Sequence, residues 1–212
     1  MTVARRRRCA YLTMEDMSGF VTDADLSVPA MAALGWDVEF VPWRRPGVDW
    51  DRFEVVYICT PWDYPQDPDL FLQVLEAIDA SQAELINPLP LVRWSLAKTY
   101  LQDLERKGGA IVPSVWFEQF DAGDVSGWFE SLGNDTVVIK PRVGANAQDT
   151  FVLTRPVAQE QIDELQATFD GRELVNARER HLGLRGRNHL VEELDAGRRR
   201  TDHAGAQAQE AA

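Results

Sequence analysis

Only three lysines occur in the 212 residues, and two of them, Lys98 and Lys140, stand where a cation could hold phosphate. Lys98 closes the run Arg93-Trp94-Ser95-Leu96-Ala97-Lys98, read as the opening turn of a helix. Lys140 ends an apolar strand, Val137-Val138-Ile139-Lys140-Pro141, just ahead of the small-residue loop Gly144-Ala145-Asn146-Ala147. A lysine leaving a strand beside a glycine-bearing turn projects next to backbone amides that can approach a polyphosphate closely. The loop is neither a Walker motif nor a G-x-G-x-x-G fingerprint. Each lysine therefore also has a plainer reading: Lys140 as a surface lysine before a β-hairpin, Lys98 as a solvated lysine on a polar helix face. A second candidate is Trp62-Asp63-Tyr64, which follows a predicted strand over 55–60 at the end where open α/β sheets place their ligands. Its plainer reading is a capped turn with two packed aromatics. The acidic residues after the first strand, Asp16, Asp23 and Asp25, are taken as solvated and left out of the site.

The elements that must position these side chains alternate, strand then helix, in the manner of an α/β layer with a mainly parallel sheet. Strands are predicted over 9–13, 38–41, 55–60 and 85–87. A helix over 25–34 stops at Gly35, although Pro29 argues for a later start. The next is clearer: Asp67 as N-cap, Pro68 at the first helical position, then Leu70, Phe71, Val74, Leu75 and Ile78 on one face. Beyond it, Ser95 is expected to cap a helix whose Leu96, Tyr100, Leu101 and Leu104 face inward and which ends at Gly108. Strands over 115–117, 137–140 and 150–153 and helices over 126–132 and around 162–169 complete a small α+β unit. The expected domains are 1–93, 94–174 and a polar tail, weakly ordered, over 175–212.

Composition narrows the function classes. A net charge of −12 repels a nucleic-acid backbone, so nucleic acid is not an expected partner, while small anions can still be held by local cations. No apolar run approaches the roughly 20 residues needed to cross a bilayer, so a cytoplasmic protein with no membrane partner is expected. Arg5-Arg6-Arg7-Arg8 is read as the solvated start of the first strand rather than a targeting signal. Cys9 and Cys59 both fall in predicted strands and read as buried free thiols.

Taken together, the α/β unit, the run ending in Lys98 and the Val138-Ile139-Lys140-Pro141 strand about forty residues later resemble the ATP-grasp superfamily, and within it the bacterial glutathione-synthetase-like branch. The phrases Val48-Asp49-Trp50-Asp51-Arg52-Phe53, Thr60-Pro61-Trp62-Asp63-Tyr64-Pro65 and 144–151 look like the same branch, and the likeness covers about residues 9–174. It implies a Rossmann-like pre-ATP-grasp domain with a parallel sheet, followed by an α+β ATP-grasp central domain. It further implies that Lys98, Lys140, Gly144 and Ala145 bind ATP, with the loop over 143–150 closing on the phosphates. Trp62, Asp63 and Tyr64 would bind the acceptor substrate, Asp63 as an orienting group. The implied reaction is ATP-dependent carboxylate–amine ligation: a substrate carboxylate attacks the γ-phosphate, and an amine captures the acyl phosphate. Nucleotide and a small carboxylate or amine are the implied partners.

The pattern changes after Leu174. Residues 170–212 hold no aromatic residue, all three histidines and eight of the arginines, and where the superfamily places an apolar hinge strand the chain reads Val175-Asn176-Ala177-Arg178-Glu179-Arg180-His181. Magnesium is expected for the superfamily, but its ligands are not identifiable: Asn188, Glu192 and Glu193 read as a polar helix face, and no metal or catalytic residue is assigned. The shift is read as truncation or frame disruption that removes the C-terminal lobe and impairs catalysis. An uncovered central domain would favour self-association. The competing readings are a non-catalytic nucleotide or small-molecule binding remnant, and a plain α/β structural domain.

Overall fold

Strand β1 (Arg7–Thr13) carries alternate side chains to two different layers, and this explains the first half of the fold. In the computed structural model, which describes residues 6–178, β1 pairs in parallel with β2 (Trp36–Pro42) and with β3 (Val55–Thr60), and β3 pairs with β4 (Glu84–Ile86). The order is β2-β1-β3-β4. On one face Ala10 and Leu12 join Val41, Val56 and Leu85 beneath helix α2 (Pro68–Asp79), whose Phe71, Leu75 and Ile78 are buried. On the other, Cys9 and Tyr11 pack with Ala24 and Met31 of helix α1 (Ala24–Ala33). Asp67 caps α2 as expected, its carboxylate accepting from the Leu70 amide at 3.1 Å. Helix α1 starts at Ala24 despite Pro29, which sits far enough in that a full turn precedes it.

The single helix expected from Ser95 is instead two, α3 (Leu89–Ser95) and α4 (Tyr100–Arg106). Ser95 caps nothing; its hydroxyl donates back to the Leu91 carbonyl at 2.9 Å. The break has a tertiary cause. The Lys98 amide donates to the Arg142 carbonyl at 2.8 Å, which withdraws it from any helical ladder.

The second sheet contains β5 (Ser114–Phe117), β6 (Thr136–Pro141), β7 (Phe151–Thr154) and β8 (Leu174–Arg178), in the order β5-β8-β6-β7 with every pairing antiparallel. Helices α5 (Val125–Leu132) and α6 (Gln159–Phe169) supply Trp128, Phe129, Leu165 and Phe169 to a core shared with Val137, Ile139, Leu153 and Leu174. Along β6 the period of two sends Val137, Ile139 and Pro141 inward and leaves Lys140 on the opposite face. Strand β8 corrects the expectation that a polar tail begins at 175: Leu174 and Val175 are buried, and the backbone is paired on both sides, which outweighs the polar composition. The tail over 179–212, with Asn188, Glu192 and Glu193, lies outside the described residues, as does Arg5. Both cysteines are free thiols, and burial pushes each upward, Cys9 to about 11 with Cys59 adding to the effect.

Candidate active site

Lys98 occupies the link over 96–99 rather than a helical turn, and it is fastened to the end of β6 at two levels. Besides its amide bond to Arg142, its Nζ donates to the carbonyl of Pro141 at 2.9 Å and to that of Gly144 at 3.3 Å. Both Nζ partners are neutral carbonyls. Partial burial, and then the nearby charge of Lys140, lower its ammonium to about 8. The two lysines are thus close enough for the charge of one to act on the other, and like charges kept near each other favour an anion between them.

Gly144 is needed there for space. A Cβ on it would stand 2.8 Å from Pro141 Cγ and 3.3 Å from Lys98 Nζ. Downstream the loop turns through three non-glycine residues in the left-handed region, Asn146 (φ 51°), Ala147 (φ 55°) and Asp149 (φ 53°). The Ala145 carbonyl accepts from the Gln148 amide, and the Asp149 carboxylate from Arg172 at 2.7 Å. Such strained residues cluster at ligand-binding segments. Beneath the loop, Arg142 is buried and bridges Glu118 at 2.8 Å and Glu173 at 3.1 Å.

The second candidate group separates. Asp63 accepts from the indole Nε1 of buried Trp43 at 2.6 Å and from Arg44 Nε at 3.3 Å. Trp62 packs on Phe20 with ring centroids 5.5 Å apart. Tyr64 stacks on Phe71 and belongs to the core of the first sheet. Trp62 and Asp63 line a cavity of about 600 Å³ together with Glu15, Asp16, Arg44 and Asn146. A smaller cavity of about 260 Å³ is walled by Pro141, Gly144, Asp149 and Arg172, and the two share Gln66 and Gln148. Residues of the loop after Lys140 and of the loop after β3 therefore line both cavities, which lie side by side. Nearby, the buried hydroxyls of Thr13 and Thr60 bond at 2.7 Å where β1 and β3 end, the point at which the strand order reverses.

Glu15, Asp16, Arg44, Gln148, Asp149 and Arg172 were not singled out by the sequence as site residues. For Asp16 the position after the first strand was the available signal; the Ser18 hydroxyl and amide hold its carboxyl below its ordinary range. Nothing in the linear sequence ties Arg172 to Asp149, 23 residues earlier.

No group of three or more His, Cys, Asp or Glu that could hold a metal ion occurs among the described residues, so magnesium finds no fitting cluster there. Nor, among them, is any helix long and apolar enough to cross a membrane.

Residues 9–87 match the family described as D-cycloserine synthetase DcsG, N-terminal domain. The cycloserine biosynthesis protein DcsG of Streptomyces lavendulae is 37% identical over 104 residues, 45% of this chain and 34% of that protein. A crystal structure of D-cycloserine synthetase DcsG superposes with a TM-score of 0.70 at 26% identity, over 81% of this chain and 59% of that one. The RimK domain ATP-grasp protein of Sphaerobacter thermophilus gives a TM-score of 0.61 at 11% identity, over 82% of this chain and 64% of that one. The ATP complex of carboxyaminoimidazole ribonucleotide synthase from Aspergillus clavatus gives 0.60 at 13% identity, over 84% and 48%. The chain thus spans about a third of the curated relative it matches and under two thirds of these structures. With a parallel α/β sheet whose sequence matches the DcsG N-terminal domain and an antiparallel sheet beyond it, the chain is similar to D-cycloserine synthetase DcsG and shares the fold of ATP-grasp proteins.

Proposed function

We propose that this chain supplies the acceptor-facing and nucleotide-facing parts of an ATP-dependent carboxylate–amine ligase, with residues 1–93 as the acceptor-side domain and 94–174 as the nucleotide-side domain. The observation that carries the reading is Lys98: a half-buried ammonium, bonded to two carbonyls at the start of the loop and within electrostatic reach of a second lysine, leaves positive charge beside a strained loop. Lys98 and Lys140 attract and orient phosphate groups; Gly144 and Ala145 bring the loop main chain against them. Trp62 and the anchored Asp63 shape the acceptor cavity, while Tyr64 supports it from the core. ATP bound there would supply the phosphoryl group that activates a carboxylate. Positioning and charge stabilisation are what these side chains contribute. A protein of similar fold is known as an ATP complex, and the name of the DcsG relative points to a cyclic amino-acid product as the class to test first.

Titration calorimetry of the 212-residue chain with ATP tests the reading. Saturable binding that is lost in both Lys98→Ala and Lys140→Ala supports it; no heat and no thermal shift at millimolar ATP would favour a plain structural domain. We further propose that the chain alone binds without turnover, a reading motivated by the shift to an Arg-, Ala- and Gly-rich sequence after Leu174. ADP release with amino-acid acceptors would refute that second statement and leave the first intact.

A further inference from the structure

Arg172, in the turn between α6 and β8, lines the 260 Å³ cavity together with Gly144, whose carbonyl accepts from Lys98. One Nη of Arg172 donates to Asp149 Oδ2 at 2.7 Å and to the Thr168 carbonyl at 3.2 Å. Its Nε and second Nη are engaged by neither contact. Asp149 and Arg172 both line the cavity and both stay partly exposed, at 27% and 39% of their side chains. Asp149 also sits at φ 53°, two residues past Ala147 at φ 55°, in a backbone region that L-residues with a Cβ disfavour. Something must hold the loop in that shape, and the Arg172 ion pair is its one side-chain tie at Asp149 among the described residues.

A guanidinium presents the same planar fork to a carboxylate and to a phosphate, so the two can compete for it, and a polyphosphate brings more negative charge than one carboxylate. We propose that Arg172 and Asp149 form an exchangeable latch. Asp149 occupies the guanidinium in this conformation, and a polyphosphate anion entering the cavity takes it over, which frees the loop over 142–150 to rearrange around the anion. Arg172 thereby becomes a third cation of the phosphate site, beside Lys98 and Lys140. The inference rests on the nucleotide reading above for the identity of the anion, but the latch itself can be tested without nucleotide.

The test uses the full chain and four variants: Asp149→Asn, Arg172→Gln, Arg172→Lys, and the Asp149→Asn/Arg172→Gln pair. Asparagine keeps the shape of Asp149 and tolerates positive φ, so the fold is retained. With no anion added, amide hydrogen exchange over 145–150 should rise about tenfold or more in Asp149→Asn and Arg172→Gln; unchanged exchange overturns the latch. In calorimetry with sodium pyrophosphate and, separately, ATP, Asp149→Asn should bind at least about threefold tighter than the parent chain. Arg172→Gln and Arg172→Lys should bind at least about threefold weaker, and Asp149→Asn should add nothing in the Arg172→Gln background. Weaker binding by Asp149→Asn overturns the exchange, and parent-like affinity in Arg172→Gln removes Arg172 from the site while the nucleotide reading stands. Pyrophosphate binding in the expected order without ATP binding keeps the latch and sinks the nucleotide reading. Binding of neither anion by any variant overturns both.

Discussion

Lys98 and Gly144 meet closely: the lysine Nζ donates to the glycine carbonyl at 3.3 Å, and a Cβ added to the glycine would lie the same 3.3 Å from that nitrogen. The glycine is thus fixed by packing rather than by a positive φ. A side chain on Gly144 would crowd the lysine nitrogen where it meets the loop carbonyls.

Gly144→Ala should therefore displace either the loop or the lysine. The added methyl meets Pro141 Cγ at 2.8 Å, and a proline ring can yield there only by a change of pucker or a shift of the backbone. A loss of about 1–3 kcal/mol in stability follows from overpacking of this kind. Urea unfolding reads that loss, and ATP calorimetry should show affinity falling about tenfold, the effect of detaching one charge-assisted contact. Parent-like values in both measurements would mean that the loop is too soft to position Lys98.

The pH dependence has a definite sign. In the folded chain the Lys98 ammonium is lowered to about 8, first by burial and then by Lys140. An unperturbed lysine titrates near about 10.4, so between these values the unfolded chain holds a proton that the folded one has lost, and stability rises with pH across that window. Anion binding runs the other way. It needs the charged form, so ATP affinity should fall as pH rises through about 8, by at most roughly tenfold per unit. In Lys98→Arg the guanidinium stays charged and the fall should disappear. Calorimetry at three pH values in both chains checks this, and a flat profile in the parent chain would remove Lys98 from the phosphate contacts.

Asp63 was expected as an orienting group for the acceptor, and its geometry gives that expectation a measurable form. Its Oδ1 is the acceptor for the Nε1 of Trp43, a side chain with no exposed surface, at 2.6 Å. Asp63→Ala leaves that indole N–H buried without a partner, which costs about 1–3 kcal/mol. Asp63→Asn keeps an acceptor oxygen and should lose less than half as much. Thermal melts and the Trp43 contribution to fluorescence distinguish the two; equal losses would show that the charge pair with Arg44, not the indole bond, is what matters.

Where each element forms was largely readable from local chemistry: apolar runs of strand length gave β1, β3 and β6, and Asp67 followed by Pro68 gave the start of α2. The misreadings share a physical cause. Lys98 looks helical until the Arg142 carbonyl takes its amide, and Val175-Asn176-Ala177 looks like a polar tail until two neighbouring strands pair with it. Both are tertiary hydrogen bonds, which leave no trace in local pattern. The cleft followed the same rule. The adjacency of Lys140 and the loop at Gly144 was legible because strand end and loop adjoin in sequence, whereas Arg172 reaches Asp149 only through the return of α6.

The left-handed loop residues give a stability prediction independent of any ligand. Ala147 at φ 55° holds a Cβ against its own backbone, a strain of about 1–2 kcal/mol that glycine does not feel. Glycine in turn loses more chain entropy on folding, by roughly 0.5–1 kcal/mol relative to alanine. The balance favours Ala147→Gly by up to about 1 kcal/mol, seen as a higher urea midpoint with an unchanged slope. A destabilised variant would mean that the alanine methyl packs usefully in the loop.

Arg142 offers the sharpest separation between positioning and contact. Its guanidinium joins Glu118, just past β5, to Glu173, just ahead of β8; its amide donates to the Glu173 carbonyl, and its own carbonyl receives the Lys98 amide. One buried residue thus ties the ends of three strands together and fixes the backbone of Lys98. Burial works against its charge, yet the two carboxylates more than compensate and hold the guanidinium above its ordinary value, while Arg142 in turn holds the Glu118 carboxyl below its own. Removing it leaves both glutamates free to turn to water, so the loss is the bridge and its packing, about 2 kcal/mol, rather than the larger penalty of a stranded buried charge. Arg142→Ala should accordingly fold, melt earlier, and bind ATP several-fold more weakly, although Arg142 lines neither cavity of the cleft. Arg142→Lys should keep part of the stability but little of the affinity, because a single ammonium cannot span both carboxylates. Parent-like ATP affinity in Arg142→Ala, measured well below its melting temperature, would show that the backbone bond to Lys98 survives without the bridge.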